Sequence, residues 1–137
     1  MIIDAHTHRY SQEVIDDAQG FGRSNKELHW LELVDPGNPH SLQSWSSRER
    51  MLDDMDQAQV ERAVLLGWYW ENPETCRVQN DWHAKWIEED PDRFYAFATI
   101  HPEMKNLTSE LNQRKEQGFV GILSLIHISE PTRPLYI

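Results

Sequence analysis

A chain of 137 residues, 39% of them hydrophobic, has the length of one ordinary domain and enough apolar material for a core. That balance excludes a disordered segment, and no run approaches the roughly 20 apolar residues of a membrane span. The net charge of −10 speaks against nucleic acid and anionic membranes as partners, because phosphate recognition runs on Lys and Arg. No basic segment leads into an apolar one at the N-terminus, so the expected location is cytoplasmic. The single cysteine, Cys76, excludes an internal disulfide and reads as a buried structural thiol.

The first predicted element is a strand over residues 2–5, running into Asp4-Ala5-His6-Thr7-His8. Side chains alternate along a strand, so His6 and His8 point to one face, with Asp4 below them. Two imidazoles at a strand's end can converge on one divalent metal. The same residues also suit a polar exit from strand to loop. Residues 9–46 follow, with Gly20, Gly22, Pro36, Gly37 and Pro39 and no sustained period. They read as an insertion lying over the C-terminal end of the first strand.

From there the chain alternates. Ser46-Ser47-Arg48-Glu49 has the form of a capping box, Ser46 answering Glu49. The helix it opens carries Met51, Leu52 and Met55 on one face and ends near Ala58-Gln59. A strand is predicted over 62–66. Asn72-Pro73 then starts a helix, Asn as cap and Pro at the first position, which runs through Trp82 and Trp86 and stops before Pro91. A strand over 94–99, a helix from 106–108 to Gly118, and a strand over 119–122 complete the pattern. Strands and helices in this order predict a parallel sheet.

Residues 123–134 (LSLIHISEPTRP) look like the translation of a sequencing-library adapter. Residues 123–137 are therefore expected to be a non-native tail, and Pro131 and Pro134 obstruct the helix due next. His127 sits in that tail and is left out of the ligand set.

Taken together, these stretches resemble the amidohydrolase-related family, whose members include small-molecule hydrolases and aromatic-acid decarboxylases. The resemblance rests on IIDAHTH (2–8), LDDMDQAQVERAVLL (52–66), Asn80-Asp81, DPDRF (90–94), AFAT (96–99) and GFVGI (118–122). Gln59 departs from it, standing where the family usually has Gly. The resemblance implies an α/β fold, a (β/α)8 TIM-type barrel, of which residues 1–122 supply the N-terminal half, truncated after the fourth strand. A full barrel typically needs about 250 residues. It further implies that His6 and His8 are metal ligands, with the remaining ligands and the general acid or base beyond Ile122. The implied cofactor is a divalent metal, zinc first and manganese second. The implied partner is a small-molecule substrate, in a full-length protein that forms a homo-oligomer.

The expected function is a metal-dependent hydrolase acting on a small carboxylate, lactone, ester or amide. A decarboxylase of the same family is the alternative, and a non-catalytic truncated piece is another. A PHP-type phosphoesterase, which also opens with H-x-H, suits the acidic balance less well. Trp68 and Trp70, after the second strand, and His101, after the third, are the candidate substrate-binding residues. For each, plain packing or capping is the competing role. His83 is expected to pack against the sheet, and His29 and His40 lack ligand-like spacing.

Overall fold

The computed structural model describes residues 1–35, 37–41 and 45–124. The reading of the tail, His127 included, falls almost wholly outside them. Four strands form one parallel sheet in the order β1-β2-β3-β4: β1 Ile3–Thr7, β2 Arg62–Leu65, β3 Phe94–Ile100 and β4 Gly121–Ser124. Between β1 and β2 lie α1 Gln12–Asp16, α2 Ala18–Ser24, α3 Leu28–Val34 and α4 Arg48–Gln57. The helix α5, Pro73–Glu89, joins β2 to β3, and α6, Leu107–Glu116, joins β3 to β4. Each of the first three strands is followed by helix and pairs with the next strand in sequence, the pattern of a barrel wall.

The strand ends depart from the sequence prediction for local reasons. Strand β1 reaches Thr7, because the Thr7 carbonyl accepts the Leu66 N–H at 2.8 Å after an irregularity in register between Asp4 and Thr7. Phe119 stays out of β4 because its N–H bonds back to the Arg114 carbonyl at 3.1 Å, closing α6 over Gly118 at φ +91°. Gln59 closes α4 in the same way. It adopts φ +56°, and Val60 N–H reaches the Met55 carbonyl at 2.8 Å. A non-glycine residue in that region costs about 1 kcal/mol or more.

Two of the predicted caps are corrected. Ser47 caps α4, its hydroxyl accepting the Arg50 N–H at 3.2 Å, whereas Ser46 donates to the Ser47 carbonyl. Asn72 does precede Pro73 at the head of α5, but its side chain donates to the Asn25 carbonyl. Asn72 thus holds the cap position without a side-chain cap bond, and Glu27 fixes the turn that leads into the helix. This fully buried carboxylate accepts the N–H groups of Glu71 (2.6 Å) and Asn72 (3.1 Å).

One core cluster joins Met55, Ala63, Leu65, Trp86, Phe94, Ala96, Ala98 and Phe119, where the longer helices meet the sheet. A second joins the inserted helices to the loops after β2 and β3 through Tyr10, Val14, Trp30, Val34, Trp68, Trp70 and Met104. Helices of five to seven residues are too short to show a helical repeat in sequence, which is why 9–46 looked irregular. Their stability comes from this aromatic packing.

Candidate metal site at the strand ends

At the end of β1 the rings of His6 and His8 approach to 5.0 Å between centroids, with Nε2 to Nε2 at 3.0 Å. Strand alternation produces this convergence. The Asp4 carboxylate adds to it by accepting the His6 N–H at 3.0 Å. On the far side of its ring, His8 Nδ1 lies 3.1 Å from the Leu66 carbonyl at the exit of β2. A carbonyl can only accept, so Nδ1 carries the proton and Nε2 presents its lone pair toward His6. Burial holds the His8 pKa below its ordinary value. The Leu66 bond works against that shift, and His6 adds to it. Neutral imidazole, the ligand form, is thus favoured.

This donor set fits a divalent ion. With metal–nitrogen bonds of about 2.0–2.1 Å, two ligands on one ion lie roughly 2.8–3.4 Å apart, from right-angle to tetrahedral arrangements. A backbone carbonyl fixing the other ring nitrogen is the usual support for a ligating histidine. Two ligands fall short of the three that a catalytic zinc site takes from protein. No group of three or more His, Cys, Asp or Glu able to hold a metal occurs among the described residues.

A cavity of about 220 Å³ opens beside the pair, lined by His6, His8, Leu66, Gly67, Trp68, Tyr69, Thr99 and Leu123. Trp68 packs edge-on against His8 at 5.4 Å and stacks on Tyr69 at 4.8 Å. Behind this wall, the buried amide of Gln79 accepts the Trp68 N–H at 2.8 Å and the Trp70 indole N–H. Its neighbour Asn80 holds both peptide groups of Thr99, accepting the N–H at 2.8 Å and donating to the carbonyl at 3.0 Å. Asn80 also donates to Glu110, which pairs with the buried Arg114 at 2.7 Å.

The structure brings His6, His8 and Trp68 together at one cavity. Trp70 lies elsewhere, 1% exposed in the aromatic core among Tyr10, Phe21 and Trp30. His101 is outside the lining, and its Nδ1 accepts the Glu103 N–H in a turn. His83 is buried on α5 without a well-formed hydrogen bond; burial pushes its pKa down to about 3, against a weaker opposing pull from the Phe97 backbone. Burial likewise raises the Cys76 thiol to about 12, so it rests protonated. Sequence reasoning placed Tyr69, which lines the cavity, in the aromatic cluster after the second strand, and missed Gly67 and Thr99. The signal for Gly67 was a glycine directly after a strand: a Cβ there would lie 1.6 Å from the Thr99 hydroxyl oxygen.

Parallel strands joined through helices, with a pair of histidines at the C-terminal end of the first, are the arrangement of one stretch of a β/α barrel wall. The amidohydrolase family profile matches residues 3–136, and the chain belongs to that family. Solved structures agree on the fold. A 5-carboxyvanillate decarboxylase from Novosphingobium aromaticivorans, complexed with manganese and 4-hydroxy-3-methoxy-5-nitrobenzoic acid, is 20% identical at a TM-score of 0.62. The match covers 89% of this chain and 40% of that one. A 2,6-dihydroxybenzoate decarboxylase from Rhizobium is 22% identical at 0.56, covering 90% and 38%. A probable 2-pyrone-4,6-dicarboxylic acid hydrolase from Acinetobacter baumannii is 17% identical at 0.53, covering 88% and 36%. The chain thus spans about two-fifths of the length of these structures. No curated protein matches it.

Proposed function

We propose that this chain supplies the first-strand metal ligands, His6 and His8, of a metal-dependent hydrolase acting on a small carboxylate, lactone, ester or amide. The observation that carries the reading is the 3.0 Å approach of the two Nε2 atoms, with His8 Nδ1 committed to the Leu66 carbonyl. Zinc is the first choice of ion and manganese the second, the latter supported by the manganese-bound decarboxylase above. When bound, the ion supplies Lewis acidity toward water or a substrate oxygen. His6 and His8 hold and orient it, and the Trp68–Tyr69 wall keeps water from one side of the cavity. The further ligands and the general acid or base belong to sequence outside residues 1–122, so the piece alone is inactive.

A decarboxylase is the second reading. The stacked Trp68 and Tyr69 rings favour it, because a flat apolar wall suits an aromatic acid. Trp70 then acts from behind the wall as packing for Trp68, and His101 serves its turn. Residues 123–137 are proposed to be foreign, which leaves Leu123 without a functional part in the cavity.

The experiment is metal analysis of the full-length protein that carries this segment, purified with and without His6→Ala and His8→Ala. Loss of stoichiometric metal in the double variant is the expected result; full metal content would falsify the assignment. Amplifying the locus across the codon for Ile122 tests the tail, since a genomic frame encoding residues 123–134 overturns its foreign origin and returns His127 as a candidate ligand.

A further inference from the structure

The sheet has two edges without a partner. Its order is β1-β2-β3-β4, so among the described residues neither β1 nor β4 pairs on its outer side. Both edges hold apolar side chains in water. Ile2 and Ile3 at the first are 53% and 42% exposed, and Val120 and Ile122 at the other are 58% and 52% exposed. An exposed apolar edge is a template for a further strand. One face of the sheet is packed, because Ala63, Leu65, Ala96 and Ala98 meet Met55 and Trp86 of the helices. The alternate residues Val64, Tyr95 and Phe97 face the other way and are only half-buried. That second face leads up to the cavity where His6, His8, Thr99 and Leu123 meet.

The metal pair is incomplete on this same side, with two ligands where a catalytic zinc site takes three from protein. Four strands are also half the number that closes a β/α barrel. We propose that two copies of this chain close one eight-stranded barrel, β1 of each pairing with β4 of the other, and that the two His6–His8 pairs share one divalent ion. The inference rests on the ligand reading above and concerns the 137-residue chain itself. The two joints are identical, related by a two-fold along the barrel axis that sets both β1 strands at one height. The partner's β1 takes the fifth place, and alternate strands fill a common interior layer, so the first and fifth share theirs. Eight strands about 4.8 Å apart and tilted about 36° enclose a radius of roughly 7–8 Å. A histidine side chain and a metal–nitrogen bond of about 2 Å together span that distance. The charge of −10 on each copy opposes association. Salt at about 0.15 M shortens its reach to roughly 8 Å, and the shared ion offsets part of it.

The test measures mass by light scattering and metal stoichiometry by calorimetric titration, on the 137-residue chain at pH 7.5 with EDTA in one arm and zinc chloride in the other. Zinc should drive the chain to a dimer holding one ion per two copies. The His6→Ala/His8→Ala variant should lose that zinc response. Ile3→Lys and Ile122→Lys leave the ligands in place and alter side chains that are exposed in the single chain, so folding does not depend on them. Each should raise the dimer's dissociation constant roughly tenfold or more, from apolar burial lost at both joints. A monomer binding one zinc per chain would overturn the shared site and leave the ligand reading standing. A dimer holding one zinc per chain, polydisperse aggregates, or a zinc-driven dimer untouched by both lysine variants would overturn it as well. No zinc binding by the parent chain would sink the ligand reading, and this inference with it.

Discussion

On the β2–β3 side of the cavity the Trp68 N–H goes to Gln79, and the N–H and carbonyl of Thr99 both go to Asn80. On the β1 side, the strand that carries His6 is exposed at four of its five residues, and Ile2 and Ile3 are 53% and 42% exposed. One wall is fixed from behind by a helix; the other is held by strand pairing to β2 and by two side-chain bonds, from the Thr7 hydroxyl to the Val64 carbonyl and from His8 to Leu66. The difference teaches where each property resides. Shape belongs to the braced wall, which presents aromatic surface in one arrangement. Chemistry belongs to the open strand, whose ligands are set by alternation and become fully constrained only when an ion joins them.

If that division is right, the braced wall should be costly to disturb. Asn80→Ala removes three buried hydrogen bonds and strands the Thr99 peptide groups, and should lower stability by about 3 kcal/mol in urea denaturation. Gln79→Leu leaves the Trp68 amide and the Trp70 indole without their acceptor and should cost about 2 kcal/mol. A loss below about 0.5 kcal/mol for both would erase the contrast between the walls.

Acid should act on the same side. His83 lies buried on α5 with its pKa lowered from 6.5 to about 3. Between those values the unfolded chain takes a proton that the folded chain refuses. Stability from this group is therefore full above pH 6.5 and declines as pH falls toward 3, by up to about 1.4 kcal/mol per pH unit. Thermal melts at stepped pH should show this slope, and His83→Leu should flatten it. An unchanged slope in that variant would place the acid sensitivity elsewhere.

The open strand should respond least. His6→Ala is expected to change stability by less than about 0.5 kcal/mol, because the ring is exposed and its main partner is His8. A loss of 2 kcal/mol would show that β1 is braced after all.

How much of this was legible in sequence follows from the range of the forces involved. Strand alternation and helix punctuation act over a few residues, so the four strands, Asn72-Pro73 before α5 and Gly118 after α6 could be read directly. The His6–His8 pair belongs to that group. The shared face needs only two residues, and the family resemblance supplied the chemistry. The braces could not be read, because Gln79 to Trp68 and Asn80 to Thr99 join residues 11 and 19 apart by tertiary packing. Trp68 and Trp70 looked equivalent as neighbours in an aromatic loop, yet one faces the cavity and the other the core of the inserted helices. Glu27 was equally silent: an acidic residue in an irregular stretch gives no sign that it holds the turn before a helix 45 residues away.

The central claim is that His6 and His8 meet on one divalent ion, and manganese reports on it directly because its unpaired electrons broaden nearby proton resonances. Substoichiometric Mn2+ added to the 137-residue chain at neutral pH should first erase the ring signals of His6 and His8 together. Those of His83 and His101 should persist, and the His6→Ala/His8→Ala variant should lose the selective effect. Broadening that begins at other residues, or that leaves either His6 or His8 untouched, would contradict the account.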